Sequence, residues 1–387
     1  MAQEPSERYS PEPNRLETTA AAYLGRYAQT AGEGGRDHAE ALRHTTRWAV
    51  GCAVAAGIIS GGIIGGSEIW LRQVVFDGME DVDFWEQLPW WIGWFAIAGV
   101  VSAIEIGFLY WVSVKGIARI VETSNISLGD RGYSALFGRG LARAALEFPN
   151  PRVTIFGIDP YAYVSKWRLL ARNVAYKMKV GVTSFVLRVF LRRVAARMAV
   201  RGLVPLMAGP LYAVWNAIIV WRIINEARIR AYGPAAVDQM LDRCLEEDGE
   251  GATLGETGRE VLLHGAGELT ARAGDAHPNY VYLIGQLKDR LDIDPEEIEI
   301  DWPAQRDRFG ELDEADRRQV LAMLTLAAVI GSRVQSRQRE LIDEAYWACG
   351  LRRAPKAFKR LRQQLKDGRL VVPEVLSEAA RPLRDAA

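Results

Sequence analysis

One acidic residue stands alone inside an apolar run. Glu105 is the single charge in the 25 residues Trp90–Val114. An acid at the centre of a membrane helix costs about 2.5 kcal/mol or more, so such a residue marks an ion or proton pathway or has a structural partner. Helical spacing turns Glu105 away from Gly99, Ala103 and Gly107. Lys115 follows ten residues on and places the acid toward one end of the run. A third apolar run, Leu203–Trp221, carries Asn216 as its polar side chain.

The other chemistry-bearing types are sparse. Cys52, Cys244 and Cys349 are far apart and form no CxxC pair, which argues against a disulfide framework or a zinc ribbon. His38 and His44 are six residues apart, not the three or four of a helix-borne metal pair. No GxxxxGK[ST], GxSxG or HExxH is present. Asp292, Asp294, Glu296, Glu297, Glu299 and Asp301 form an acidic turn. It lacks the central Gly of an EF-hand, and Pro303 stands where that loop supplies a Glu. The expectation is no catalytic residue, no cofactor and no metal, hence no enzyme.

The elements that must carry these side chains are apolar helices. Trp48–Gly66 holds 19 residues without a charge, about 28 Å of helix against a bilayer core of about 30 Å. Trp90–Val114 follows closely. Gly57, Gly61 and Gly65 lie on one face of the first run, and Gly99, Ala103 and Gly107 on one face of the second. Small residues four apart let helix backbones approach in lipid, so the two runs read as a glycine-packed hairpin.

Charge orients it. The loop Ser67–Pro89 holds six acids and one base, whereas Arg36, Arg43 and Arg47 precede the first run and Lys115 and Arg119 follow the second. The bias of Lys and Arg puts both flanks in the cytoplasm. Trp70, Trp85, Trp90, Trp91 and Trp94 gather toward the other face as an interfacial belt. Residues 116–202 carry 15 bases and four acids. Arg188, Arg192, Arg193, Arg197 and Arg201 there read as a basic amphipathic helix within Tyr161–Arg201, contacting anionic membrane lipid. Pro205 and Pro210 read as a helix break that makes Leu203–Trp221 re-entrant or packed beneath the first two runs, rather than a third full span.

The remainder is soluble in character. Residues 1–35 read as a mobile tail with a short amphipathic helix through Leu16, Tyr23, Leu24 and Tyr27. Residues 234–316 carry 22 acids and seven bases, and 317–387 carry 15 bases and seven acids. Glu246–Gly267, rich in Gly and Glu, reads as loop. Val320, Leu324, Ala327 and Ala328 after Asp313 form one helical face, and Leu341, Ile342, Ala345 and Ala348 before Gly350 another. Pro355 and Gly368 bracket a third helix. Equal counts of 48 basic and 48 acidic residues exclude a globally basic nucleic-acid binder.

Two segments resemble known families. Arg193–Ala235, with Leu203-Val204-Pro205-Leu206-Met207-Ala208-Gly209-Pro210, Trp215-Asn216 and Ala227-Arg228, resembles the EcsC-like bacterial membrane-associated proteins. Val320–Leu351, with Glu340-Leu341-Ile342-Asp343-Glu344-Ala345 and Cys349-Gly350-Leu351, is similar to one repeat of the TerB-like helical fold. That fold usually carries an acidic Asp-Gly turn where Ile330-Gly331-Ser332-Arg333 stands here. The resemblance implies a bacterial inner-membrane location and an all-α architecture. The expected boundaries are a tail at 1–35, a transmembrane hairpin at 36–115, a basic membrane-associated region at 116–233 and a cytosolic helical domain at 234–387. The expected role is a non-enzymatic scaffold, regulatory or accessory membrane protein whose partners are anionic lipid and a protein bound by the cytosolic domain. The alternative is a homo-oligomeric channel or transporter component using Glu105 and the glycine faces.

Overall fold

The computed structural model describes residue 9 and residues 14–29, 38–75, 84–129, 131–165, 167, 169–170, 208–245, 254–293, 298–369 and 380–382. Residues 76–83 of the acidic loop, the cations Arg188, Arg192, Arg193, Arg197 and Arg201, and Pro205 lie outside the described residues. The described chain is predominantly helical, with almost no strand. It divides into two compact units. The first is Met1–Arg43, Ile117–Ser165 and Asn225–Ala387; the second is His44–Gly116 and Lys166–Ile224.

The first unit begins with α1 (Arg15–Ala28), capped by the Asn14 side chain. Residues 15–28 are therefore not a free tail. Leu24 is fully buried, and Glu17 accepts from Arg143 Nε at 2.7 Å in an ion pair closed to solvent. Leu16, by contrast, is exposed. The two long helices of the chain come next, α2 (His38–Trp70) and α3 (Phe84–Ser124). Arg143 lies on α4 (Gly132–Ala145), the helix on which α1 packs. A tight turn at Phe156-Gly157, both with positive φ, brings Ile155 and Ile158 into mutual backbone hydrogen bonds of 2.8 and 2.9 Å. A third long helix, α5 (Ala208–Leu245), supplies its last part to this unit.

Shorter helices complete the first unit: α6 (Glu256–Ala271), α7 (Pro278–Arg290), α8 (Trp302–Asp307), α9 (Glu314–Val329), α10 (Ser336–Ala348) and α11 (Ala357–Lys366). Local signals account for their ends. Asp313 caps α9 and Asp301 caps α8, and Gln335 and Gln338 form a capping box on α10. Gly350 and Gly368 take positive φ just past α10 and α11. Val320, Leu324, Ala327 and Ala328 are buried as their spacing requires, as are Leu341, Ile342 and Ala345; Ala348 is exposed.

The loop expected across Glu246–Gly267 is instead helix from Glu256 onward. Its glycines serve packing. A Cβ on Gly267 would lie 2.2 Å from Ile300 Cδ1, and one on Gly265 would lie 2.8 Å from Leu324 Cδ2. Close helix contact, not chain reversal, explains the glycine content.

The second unit is a trio formed by α2 from His44, α3 to Gly116 and α5 to Ile224. The first two answer to the apolar runs Trp48–Gly66, which has no charge, and Trp90–Val114, whose single charge is Glu105. Trp48 meets Trp111 with ring centroids 6.3 Å apart, and Ile64 and Leu71 pack with Trp94, Ala98 and Tyr212. Early α2 therefore meets late α3, and the two run antiparallel. Gly209 lies against Ile58 and Gly57 against Ala213, so α5 runs antiparallel to α2 and parallel to α3. Residues 208–224 thus pack beside the two long helices, not beneath them. Pro210 is the third described residue of α5.

The glycine faces pack differently from the expected hairpin. Gly57, Gly61 and Gly65 are buried, but a Cβ on Gly57 would stand 2.4 Å from the Ala213 backbone nitrogen. Its partner is α5. Gly99, Ala103 and Gly107 are exposed, and a Cβ on Gly99 or Gly107 would meet nothing within 4 Å. Alanine at these positions separates the two cases. Gly57→Ala should lower the thermal stability of the purified protein by about 1–3 kcal/mol through overpacking. Gly99→Ala should be neutral or stabilising by up to about 1 kcal/mol through helix propensity. Equal effects at both sites would contradict the packing described.

Candidate functional site at Glu105 and Asn216

Glu105 has a partner that its sequence position did not reveal. Asn216 Nδ2 donates to Glu105 Oε1 at 2.6 Å, and the two residues are 2% and 4% exposed. The acid comes from α3 and the amide from α5. Glycine contacts seat α5 on its neighbours on either side of the pair. Above it Gly57 and Gly209 seat α5 on α2, and below it Gly116 lies against Ile224 and Ala49.

The pair supplies a polar contact among apolar helices. A side-chain hydrogen bond that cannot be exchanged for water fixes which residues face each other, because leaving either group unmatched costs its desolvation. Ser60 and Ser113, also buried in this unit, turn back onto the helix carbonyls of Gly57 and Leu109. Glu105 points into the trio, whereas Gly99, Ala103 and Gly107 lie on its outside. The acid and the exposed small-residue face are thus not brought together.

The first unit holds a second polar cluster that sequence reading passed over. Glu226 Oε1 accepts from Arg230 Nε at 3.0 Å and from Ser332 Oγ at 2.8 Å, and lies 3.2 Å from His277 Nε2. His277 Nδ1 accepts from the Asn279 backbone, which places the ring proton on Nε2, facing Glu226. Asp275 joins through Ser332 and Asn150. Asn279 Nδ2 then ties the carbonyls of Ile229 and Ile330 together at 2.9 Å each. The available signal was His277-Pro278, an N-cap followed by a first-turn proline.

Burial alone would push the Glu226 acid up. The Arg230 charge, followed by the His277 and Ser332 contacts, overrides it and holds Glu226 well below the usual carboxylate range. Burial pushes the His277 imidazole below its ordinary value, against the pull of Glu226. The chemistry is that of a neutral histidine and an ionised acid pinning α5, α7 and the end of α9. Cys244 is buried, and burial raises its thiol to about 12. Among the described residues no three His, Cys, Asp or Glu side chains gather as a metal site requires.

No protein-family model, no curated protein and no solved structure matches the chain.

Two predictions follow from these clusters. Removing Asn216 leaves a buried acid without its amide, so Asn216→Leu should cost more stability than the double variant Glu105→Leu/Asn216→Leu. A coupling of about 1–3 kcal/mol is expected in a double-mutant cycle read by thermal unfolding. Additive effects would make the pair incidental.

The second concerns pH. The unfolded chain protonates His277 near 6.5, and the folded chain holds it neutral to lower pH. Stability from this group is therefore lost as pH falls through about 6.5. Glu226 acts in the same direction from its ordinary value of 4.5 downward. The thermal midpoint should fall on acidification below about pH 6.5, and His277→Asn, which keeps a capping acceptor, should remove the upper part of that fall. A midpoint that rises between pH 7 and 5.5 would contradict the assignment.

Proposed function

We propose that the chain is an integral membrane protein without catalytic activity. Its helical trio lies in the bilayer of a bacterial inner membrane, and its first unit lies in the cytoplasm and recruits or regulates a protein partner. The observation that carries this reading is exposure. Windows of mean hydropathy 1.8 in His38–Val75 and 1.9 in Trp85–Ser124 are only 39% and 17% buried. An apolar helix of a water-soluble core would be mostly buried. Ile92, Ile97, Val100, Ile104 and Phe108 instead face outward along α3. In water such a surface drives aggregation; among acyl chains it is already solvated.

Tryptophans support the same reading and give it dimensions. Trp48 and Trp70 lie 22 residues apart on α2, about 33 Å of helix, and Trp90 and Trp111 are about 32 Å apart on α3. Both spacings match a hydrocarbon core of about 30 Å with indoles at its edges. Glu105 then lies about 9 Å inside the level of Trp111.

The division into units supports a topology. A compact polar unit cannot occupy both sides of a bilayer. We take the first unit, whose borders along the chain are Arg43, Ile117, Ser165 and Asn225, to keep to one side. The α2–α3 hairpin goes out and back, and a lone third crossing through α5 does not fit. The positive flanks put that side in the cytoplasm. The EcsC-like and TerB-like resemblances belong to the same proposal. A channel lined by Glu105 gains no support, because the acid is turned inward onto Asn216.

Introduced cysteines test this. With Cys52 and Cys349 removed, Glu86→Cys should react with an impermeant thiol reagent on spheroplasts. Lys359→Cys should react only after lysis. Reaction of Lys359→Cys before lysis would reverse the topology, and recovery of the protein in the soluble fraction would end the membrane reading.

A further inference from the structure

The three helices of the trio repeat one small pattern at one level. Helix α2 carries Arg47 beside Trp48, α3 carries Lys115 one turn after Trp111, and α5 carries Arg222 beside Trp221. The level is shared because the helices converge there. A Cβ on Gly116 would lie 2.7 Å from Ile224 Cδ1 and 3.8 Å from Ala49 Cβ, and Trp48 stacks edge-on against Trp111. Lys115 Nζ stands 5.0 Å over the Trp111 ring. Arg47, Arg222, Trp111 and Trp221 are exposed.

No carboxylate answers these cations among the described residues. In the first unit the contrast is plain: Arg143, Arg230, Arg272 and Arg353 each hold an acid at 2.7–3.0 Å. The other end of the trio has the opposite character. Trp70, Trp85 and Trp90 are accompanied by Glu68 and Glu86, with Arg72 as the one base. Cations left without acids cost nothing in water, but at the edge of a hydrocarbon slab they select what replaces the missing counter-charge. Indoles beside them fit the glycerol and headgroup zone.

We propose that Arg47, Lys115 and Arg222, with Trp48, Trp111 and Trp221, form a binding site for anionic phospholipid headgroups in one leaflet. This rests on the membrane reading above and adds the chemistry of the lipid and the residues that choose it. Each cation meets a phosphate or headgroup oxygen while the neighbouring indole packs on the upper acyl chain. Its residues are other than the cations expected at 188–201.

The test uses the full-length protein in bilayers that contain chain-brominated lipid, which quenches nearby tryptophan. Brominated phosphatidylglycerol and brominated phosphatidylcholine are compared at equal mole fraction. The wild type should prefer the anionic lipid by at least about fivefold, the weight of one near-surface cation. The preference should fall toward one in Arg47→Gln/Lys115→Gln/Arg222→Gln. It should survive in Arg47→Lys/Lys115→Arg/Arg222→Lys, which guards against a folding artefact. Equal quenching by both lipids in the wild type, or an unchanged preference in the glutamine variant, overturns the headgroup site while leaving the membrane reading intact. Absence of quenching by either lipid overturns both.

Discussion

The contact of backbone with backbone at Gly57 is the constraint on which the trio depends. A side chain there would occupy the space of the Ala213 nitrogen. Its absence lets α5 lie directly on α2 and sets the register of everything C-terminal to it. Three residues past Ala213, Asn216 arrives opposite Glu105; eight residues further, Ile224 fills the space left by Gly116. A slip of one residue would rotate Asn216 by about 100° and strand the acid. Steric permission at one glycine and a polar match at one amide thus specify the same arrangement, the first by allowing contact and the second by penalising alternatives.

The two units solve the burial of polar groups by different means. In the first, charges are kept and paired. Arg143 with Glu17 and Arg230 with Glu226 join segments distant in sequence or lock a helix face, and Asn279 and Gln338 each satisfy buried carbonyls with an amide. In the second, the buried charges among the described residues are Glu68 and Glu105, and hydroxyls such as Ser60 and Ser113 fold back on their own helices. The difference matches the solvents proposed for them. Where water is at hand a charged group can be carried in and matched; where it is not, small residues and intrahelical bonds replace it.

Much of this was legible because it is periodic or local. The first two apolar runs marked two of the three long helices, and Asp313, Gly350 and Gly368 marked ends that the fold keeps. What escaped notice is non-local. The partner of Gly57 is 156 positions away and that of Glu105 is 111 positions away, and no spacing rule reaches so far. The Gly99–Ala103–Gly107 stripe has the same spacing as Gly57–Gly61–Gly65 yet faces outward, since spacing records what a face permits and not what fills it. The glycines of 256–271 misled in a related way. Counted as chain breakers they suggest a loop, but Gly265 and Gly267 sit in a helix whose neighbours, Leu324 and Ile300, need the room.

The ion pair between Glu17 and Arg143 carries an implication for how the protein is made. A ribosome delivers Glu17 early and Arg143 126 residues later, with both long apolar helices in between. Until α4 emerges, α1 has no surface to cover and its glutamate no guanidinium to meet. Docking of the first helix is therefore a late event in synthesis. The N-terminal segment of the nascent chain stays without this contact until both long helices have been synthesised.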